Sequence, residues 1–459
     1  MTTYQHLNRL VAAASRRADV FIVTPYTRNI GNCAEEMYYA LLKARRDHTR
    51  ALFLFPRPVG WRVRLDVANR ALEALESPFG FCPRGVLARF AGRLLTLIFF
   101  VLGQTYLRAK QVARRAPIAA AQRWGKSRNN IFYVSPSIGR ARLWQPDGVD
   151  TFSTRHVDES AWATEHSAPV SVRLAQVEHD RAHHLRIAMG LPPDRWFVCL
   201  HVREAGFHKD GQFGTWRNCD IRNYVPAITA ITAAGGFVVR IGDPTMARLP
   251  PMERVIDYAH SRFKSELMDL YLISECRFYL GVNSGPLDVA WLFGKPVVLT
   301  NVTEWAVTFA RAVGDRIILK HVFSRSRGRF LSLSEILRAP FEAQAFRDLG
   351  SDYVLVENTP DEIRDVVLEH LAWPASRELT PEQRAFNHAR KAQIRAWLSR
   401  PGLRFLDDDR DDAVERFRLA VHAEHSAGAV GREYVERFWA HDHSDLGAVA
   451  GLVQIAQAV

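Results

Sequence analysis

The chain has 459 residues, more than one hydrophobic core ordinarily supports, so two packed domains plus some extension are expected. Its 47% hydrophobic content makes both domains globular, and five widely spaced cysteines, odd in number, exclude a close-spaced zinc or redox motif. The net charge of +12 lies in one place: residues 77–146 contain no Asp or Glu and 12 Lys and Arg, while the remaining 49 basic residues balance the 49 acidic ones.

Taken in chain order, the opening MTTYQHLNRLVAAASRRADV lacks the apolar core of a secretory signal, which with the cysteine pattern points to a reducing, cytoplasmic setting. DVFIVTP (19–25) reads as a buried strand, TRNIGN as a turn, AEEMYYALLKARRD as a helix and ALFLFP (51–56) as a second strand. This order predicts a parallel sheet with crossover helices, closed by a strand over NIFYVSPS (130–137). Between them, LLTLIFFVL (94–102) is too short to span a bilayer, which takes about 20 apolar residues. Flanked by Arg89, Arg93, Arg108 and Lys110, it reads either as a core helix or as a helix docking the first domain on an anionic membrane face.

A second strand series begins after AQVEHDRAHHLRIAMGL. WFVCLHVR (196–203), FVVRIGD (237–243), RFYLGVN (277–283) and PVVLTN (296–301) alternate with helices NYVPAITAITAA, SELMDLYLISEC and PLDVAWLFG. That is a doubly wound pattern, in which ligands bind beyond the carboxyl ends of the strands. The expected division is 1–165, 166–385 and a helical extension, 386–459.

Residues suited to chemistry stand at those strand ends. Asn283, Ser284 and Gly285 end a strand and begin a helix, whose unpaired amides and dipole favour an anion. The same residues also make an ordinary capped turn. His201 and Arg203 alternate to one side of their strand, and a strand-end guanidinium can bind two oxygens of a diphosphate; the plain alternative is a surface Arg beside a packed His. Arg240 and Gly242 occupy the corresponding place after the next strand, where an ion-pairing Arg is the alternative, and Gly31 and Asn32 stand in the first strand-to-helix turn.

These motifs carry a resemblance. RNIGNCAEEMYYALL resembles the Gly-Asn first-helix motif of fucosyltransferases that use GDP-fucose, and LHVRE resembles their His-x-Arg strand motif. Over residues 19–383 the chain is similar to a family of bacterial GT-B glycosyltransferases of surface polysaccharide or glycan type, through HVRE, RNCDIRNY, VVRIGDP, LMDLYLISECRFYLGVNSGP, FGKPVVLTN and VENTPDEI. The resemblance implies two Rossmann-like domains facing a cleft, a nucleotide-sugar donor, and a glycan, lipid-linked or protein acceptor. Cys33 stands where the fucosyltransferase motif has Gln, so the resemblance does not extend to the donor.

Transfer from such a donor builds negative charge on the departing diphosphate. The one Asp-x-Asp spacing lies in DDDRDD (407–412), within a solvated-looking tail, so no metal is expected and Arg203, Arg240 and the helix start at Ser284 and Gly285 would take its place. Glu204, His208, Asp210 and Asp220 are candidates for the general base. The alternatives are a nucleotide-sugar epimerase of the same fold, which needs no acceptor, and a nucleic-acid-binding protein. The second is disfavoured because the aromatic residues of the basic segment follow helix spacing, not a base-stacking array. The expected location is cytoplasmic, or peripheral on the inner face of the plasma membrane.

Overall fold

The structure, a computed structural model, describes residues 20–25, 27, 29–46, 48–57, 63–65, 67–94, 96–97, 132–134, 142–145, 148–151, 170–206, 215–306, 308–338, 341, 349–372, 378–398 and 426–439. The chain divides into two compact units. One comprises Met1–His156, Val170–His179 and Trp291–Gly294; the other comprises Val157–Pro169, Asp180–Ala290 and Lys295–Val459.

In the first unit, β1 (Val20–Thr24) leads through α1 (Ile30–Arg46) to β2 (Arg50–Phe53), which lies parallel to β1 with Val20 opposite Arg50 and Val23 opposite Phe53. Residues 33–44 of α1 are all buried, Glu35, Glu36 and Lys43 among them, so this crossover helix is covered on every side. The remaining strands are β3 (Val63–Leu65), β4 (Leu75–Ser77), β5 (Gly80–Phe81), β6 (Phe132–Val134), β7 (Arg142–Gln145), β8 (Gly148–Thr151) and β9 (Arg173–Leu174). They complete a seven-stranded sheet of order β8-β7-β1-β2-β5-β4-β9 and a separate pair, β3-β6.

Two expectations need correction here. The sheet is mixed, not parallel, because β7 runs antiparallel to β1 and β4 antiparallel to β5. The strand expected to close it, β6, pairs instead with β3. Apolar patterning marks a segment as a strand but leaves its partner to tertiary context.

The second unit begins its strand series after α2 (Gln176–Ala188). Its elements are β10 (Phe197–His201), α3 (Val225–Ala233), β11 (Phe237–Arg240), β12 (Val255–Ile256), α4 (Glu266–Glu275), β13 (Phe278–Gly281), α5 (Gly285–Leu292), β14 (Val297–Val302) and β15 (Arg316–Leu319). A hairpin-like set follows, β16 (His321–Ser324), β17 (Arg329–Phe330) and β18 (Tyr353–Val356), then α6 (Pro360–Ala372), α7 (Pro381–Leu398), β19 (Ala429–Val430) and α8 (Arg432–Phe438). The main sheet has the order β12-β11-β10-β13-β14-β15-β19, all parallel. Its central strands are buried along their whole length, which explains their continuous apolar runs in place of alternation.

The expected helical extension from 386 onward also differs. It supplies β19, the edge strand beside β15, with Ala429 opposite Arg316. The Gln383 side chain donates to the Val430 carbonyl at 2.7 Å and Asn387 to that of Gly428 at 3.1 Å, tying α7 to this strand. A two-residue strand has too little pattern to be read from composition. The DDDRDD run lies outside the described residues.

Cys33, Cys82, Cys199, Cys219 and Cys276 are free thiols. Among the described residues no helix is long and apolar enough to cross a membrane.

Candidate functional site

The chain leaves β10 toward β11 and β12 on one side of the sheet, then returns to place β13 on the other side of β10. This reversal opens a crevice beyond the carboxyl ends of β10 and β13, where an open parallel sheet binds its ligand. The two ends are held close. Gly281 pairs with His201, and a Cβ at Gly281 would lie 2.5 Å from the His201 carbonyl oxygen, so only glycine fits.

His201 ends β10 and is 5% exposed, and its Nδ1 has no hydrogen-bond partner among the described residues. Burial, reinforced by the positive charges of Arg240 and Arg203, lowers its pKa to about 4 against the opposing effect of Asp243. The imidazole is therefore neutral at pH 7. Two residues on, Arg203 is 7% exposed, and its Nη1 donates to Asn218 Oδ1. The Arg203 carbonyl accepts the Cys219 amide at 3.0 Å, which folds the 215–220 segment back over the strand end.

Across the crevice, Asn283 Nδ2 donates to Thr308 Oγ1 at 2.9 Å and to Glu304 Oε2 at 3.3 Å. Ser284 precedes α5, and its hydroxyl makes no hydrogen bond among the described residues; Leu287 N–H returns to the Ser284 carbonyl at 2.9 Å. Gly285 is the first helical residue, and Asp288 in the same turn complements the helix dipole. The structure thus brings His201, Arg203, Asn283, Ser284 and Gly285 to one end of two adjacent strands.

Arg240 behaves differently from its expected role. It is fully buried, with Nη2 donating to Glu204 Oε1 at 2.7 Å and Nη1 to Asp257 Oδ1 at 3.4 Å and to the Ala247 carbonyl. A buried guanidinium needs such partners, and here they hold the loop after β11 in place. Glu204 is engaged at both oxygens, since Oε2 accepts the Ala247 amide at 2.7 Å. Gly242 opens that loop at φ 152°. Gly31 and Asn32 are in the first unit, where they lie in the first turn of α1 and not in the loop before it.

Asp220 also has a structural task. Its carboxylate caps the 3-10 turn Ile221–Tyr224 by accepting the Arg222 amide at 2.9 Å, and it pairs with the Arg222 guanidinium. Hydrogen bonding from Arg222 lowers its pKa, which makes it a weaker base than an ordinary carboxylate. His208 and Asp210 lie outside the described residues.

The tertiary structure places two further residues, Glu357 and Lys320, beside the 215–220 segment, in a groove whose lining does not include His201, Arg203 or Asn283 to Gly285. Glu357 Oε2 accepts the Asp220 amide at 2.9 Å and Asn223 Nδ2 at 3.0 Å, while its Oε1 takes no hydrogen bond among the described residues. Its neighbour Asn358 fixes it. Asn301 N–H donates to Asn358 Oδ1 at 2.6 Å and Asn358 N–H to Asn301 Oδ1 at 2.7 Å, a buried reciprocal pair. Lys320, 5% exposed, donates from Nζ to the Asn218 carbonyl at 2.8 Å. With Glu204, Trp216 and Tyr353, these side chains line an open groove of about 1120 Å³. In sequence the VENTPDEI run served only as a motif of resemblance, and nothing local showed that Glu357 meets Asp220.

No family model matches the chain, and no curated protein matches it. Among solved structures it is similar to a glycosyl transferase of family 9 from Veillonella parvula, at 12% identity and a TM-score of 0.30, over 61% of this chain and 79% of that one. A likeness of that size carries no argument about chemistry. What the strand order defines is a doubly wound α/β unit with a switch point between β10 and β13.

Proposed function

We propose that the protein is a glycosyltransferase that moves a sugar from a nucleotide-sugar donor to a glycan, lipid-linked or protein acceptor without a metal ion. The observation that carries this reading is the grouping of the Arg203 guanidinium, neutral buried His201 and the start of α5 at Ser284 and Gly285 around one switch point. The guanidinium is suited to phosphate oxygens by its charge and the helix start by its amides, while buried neutral His201 adds no competing charge. As the glycosidic bond to the diphosphate breaks, charge accumulates on the leaving oxygens. Donors already fixed by the fold stabilise that charge without reorganising.

For the proton of the acceptor hydroxyl we favour Glu357 over Glu204 and Asp220. It lines the groove and keeps one oxygen uncommitted, whereas Glu204 is bound to Arg240 and Asp220 to Arg222. Arg240 then serves as a positioning residue. Gly31 and Asn32, in the first unit, are proposed as binding residues, through glycine's lack of a side chain and the amide's hydrogen bonds.

A thermal-shift screen against UDP, GDP, CMP and dTDP tests the reading, because a ligand that binds only the folded state raises the melting temperature by mass action. One nucleotide diphosphate should stand out, and its effect should vanish in Arg203→Ala. No response to any of them would remove the proposal. Product analysis with donor alone separates the epimerase reading, which requires conversion of the donor without acceptor.

A further inference from the structure

The helix whose described residues are 86–94 and 96–97 is packed in reverse of the usual amphipathic sense. Its inner side is small: Gly92 and Thr96 are buried against Arg57, with Thr96 Oγ1 donating to the Arg57 carbonyl at 2.8 Å and accepting its amide at 3.1 Å. A Cβ at Gly92 would stand 2.6 Å from the Phe55 carbonyl oxygen, so nothing larger fits. The large apolar side chains point away. Val86, Leu87, Phe90, Leu94 and Leu97 are 45% to 83% exposed. At about 100° per residue these five fall within roughly a 100° arc of the helix. A surface helix of a globular protein shows the opposite arrangement, and a contiguous exposed apolar stripe marks an interaction surface.

Charge identifies the occupant. Exposed Arg89 and Arg93 run along one border of the stripe, exposed Arg84 precedes it, and no acidic residue occurs anywhere from 77 to 146, where 12 basic ones do. A helix with a large-apolar face, arginines along one border and no acid on the helix matches the headgroup boundary of an anionic bilayer, which takes the apolar side chains into its acyl edge and the guanidinium groups onto its lipid phosphates. The apolar run 94–102 is described only at Leu94, Thr96 and Leu97, and the surface defined here ends at Leu97.

We propose that this helix docks the first unit on an anionic lipid bilayer through Val86, Leu87, Phe90, Leu94 and Leu97, with Arg84, Arg89 and Arg93 on the lipid phosphates. Docking of this kind is independent of the transferase reading. The test is co-sedimentation of the full chain with vesicles of phosphatidylcholine alone or mixed with phosphatidylglycerol, at low and high salt. The wild type should sediment with the mixed vesicles at low salt, and only weakly with phosphatidylcholine or at high salt, because salt screens the attraction. Arg89→Gln with Arg93→Gln should weaken binding on the order of tenfold. Leu87→Ser with Phe90→Ser and Leu94→Ser should abolish it; should that variant fail to fold by circular dichroism, the arginine variant alone decides. Three results would overturn the proposal: a wild type that stays in solution with the mixed vesicles at low salt, folded variants that bind as the wild type does, or a solution dimer dissolved by the serine substitutions, which would make a second copy the occupant.

Discussion

Arg240 and Glu204 form an ion pair at 2.7 Å in which the arginine side chain is wholly buried and the glutamate is 20% exposed. The pair joins the ends of β10 and β11 and engages both side chains. Arg240→Ala would leave Glu204 and Asp257 without their cation in a poorly hydrated place. The expected cost is about 3 kcal/mol, the scale for breaking a buried pair. Urea unfolding checks it, and a loss below about 1 kcal/mol would show that the pair does not hold this loop.

Arg203 should behave in the opposite way. Arg203→Ala removes a donor to the leaving diphosphate, and turnover should fall about a hundredfold or more. Arg203 also donates to Asn218 Oδ1, so the fold of the variant is checked by circular dichroism before its turnover is read. Near-normal turnover in the folded variant would take Arg203 out of the site.

Glu357→Gln keeps the side chain's size and its acceptance of the Asp220 amide but removes the base. Transfer to acceptor should drop by about 10²-fold or more, while donor binding in the thermal-shift assay stays as in the wild type. Equal losses in Asp220→Asn and none in Glu357→Gln would return the role to Asp220.

His201 makes stability depend on pH. Its folded pKa is about 4, below the ordinary 6.5, so between these values the folded state binds fewer protons than the unfolded one. The stabilisation is whole above pH 6.5 and is lost as the pH falls toward 4, by about 3 kcal/mol at about 1.4 kcal/mol per pH unit. His370, buried and also held at about 4, adds a loss of the same sign. Asp315, raised by burial to about 6, opposes them over the lower part of the window, since its folded form binds more protons there. Urea unfolding at a series of pH values should therefore give His201→Gln a shallower acid decline than the wild type. Identical slopes would show that His201 is not buried neutral.

Transfer should persist in excess EDTA, because the proposed charge-stabilising groups are Arg203 and the start of α5. Complete loss of activity, restored by Mg²⁺ or Mn²⁺, would mean that the diphosphate is held by a metal instead.

The strands of the second unit were legible because a parallel strand covered on both faces becomes a continuous apolar run, as in FVCLH and FYLG. Their doubly wound order placed His201, Arg203 and Asn283 to Gly285 at strand ends before any coordinates. Sequence could not decide what those side chains meet. An arginine at a strand end looks the same whether it awaits phosphate, as proposed for Arg203, or is enclosed by Glu204 and Asp257, as Arg240 is. Glu357 meets Asp220 across 137 positions of chain, and the Asn301–Asn358 pair spans 57. The helix after Gly85 shows the same limit: the sequence offered a helix only over 94–102, and packing against Arg57 decided that the small residues turn inward and the large ones outward. Periodicity records which residues share a face. Which face is buried depends on what the rest of the chain brings against it.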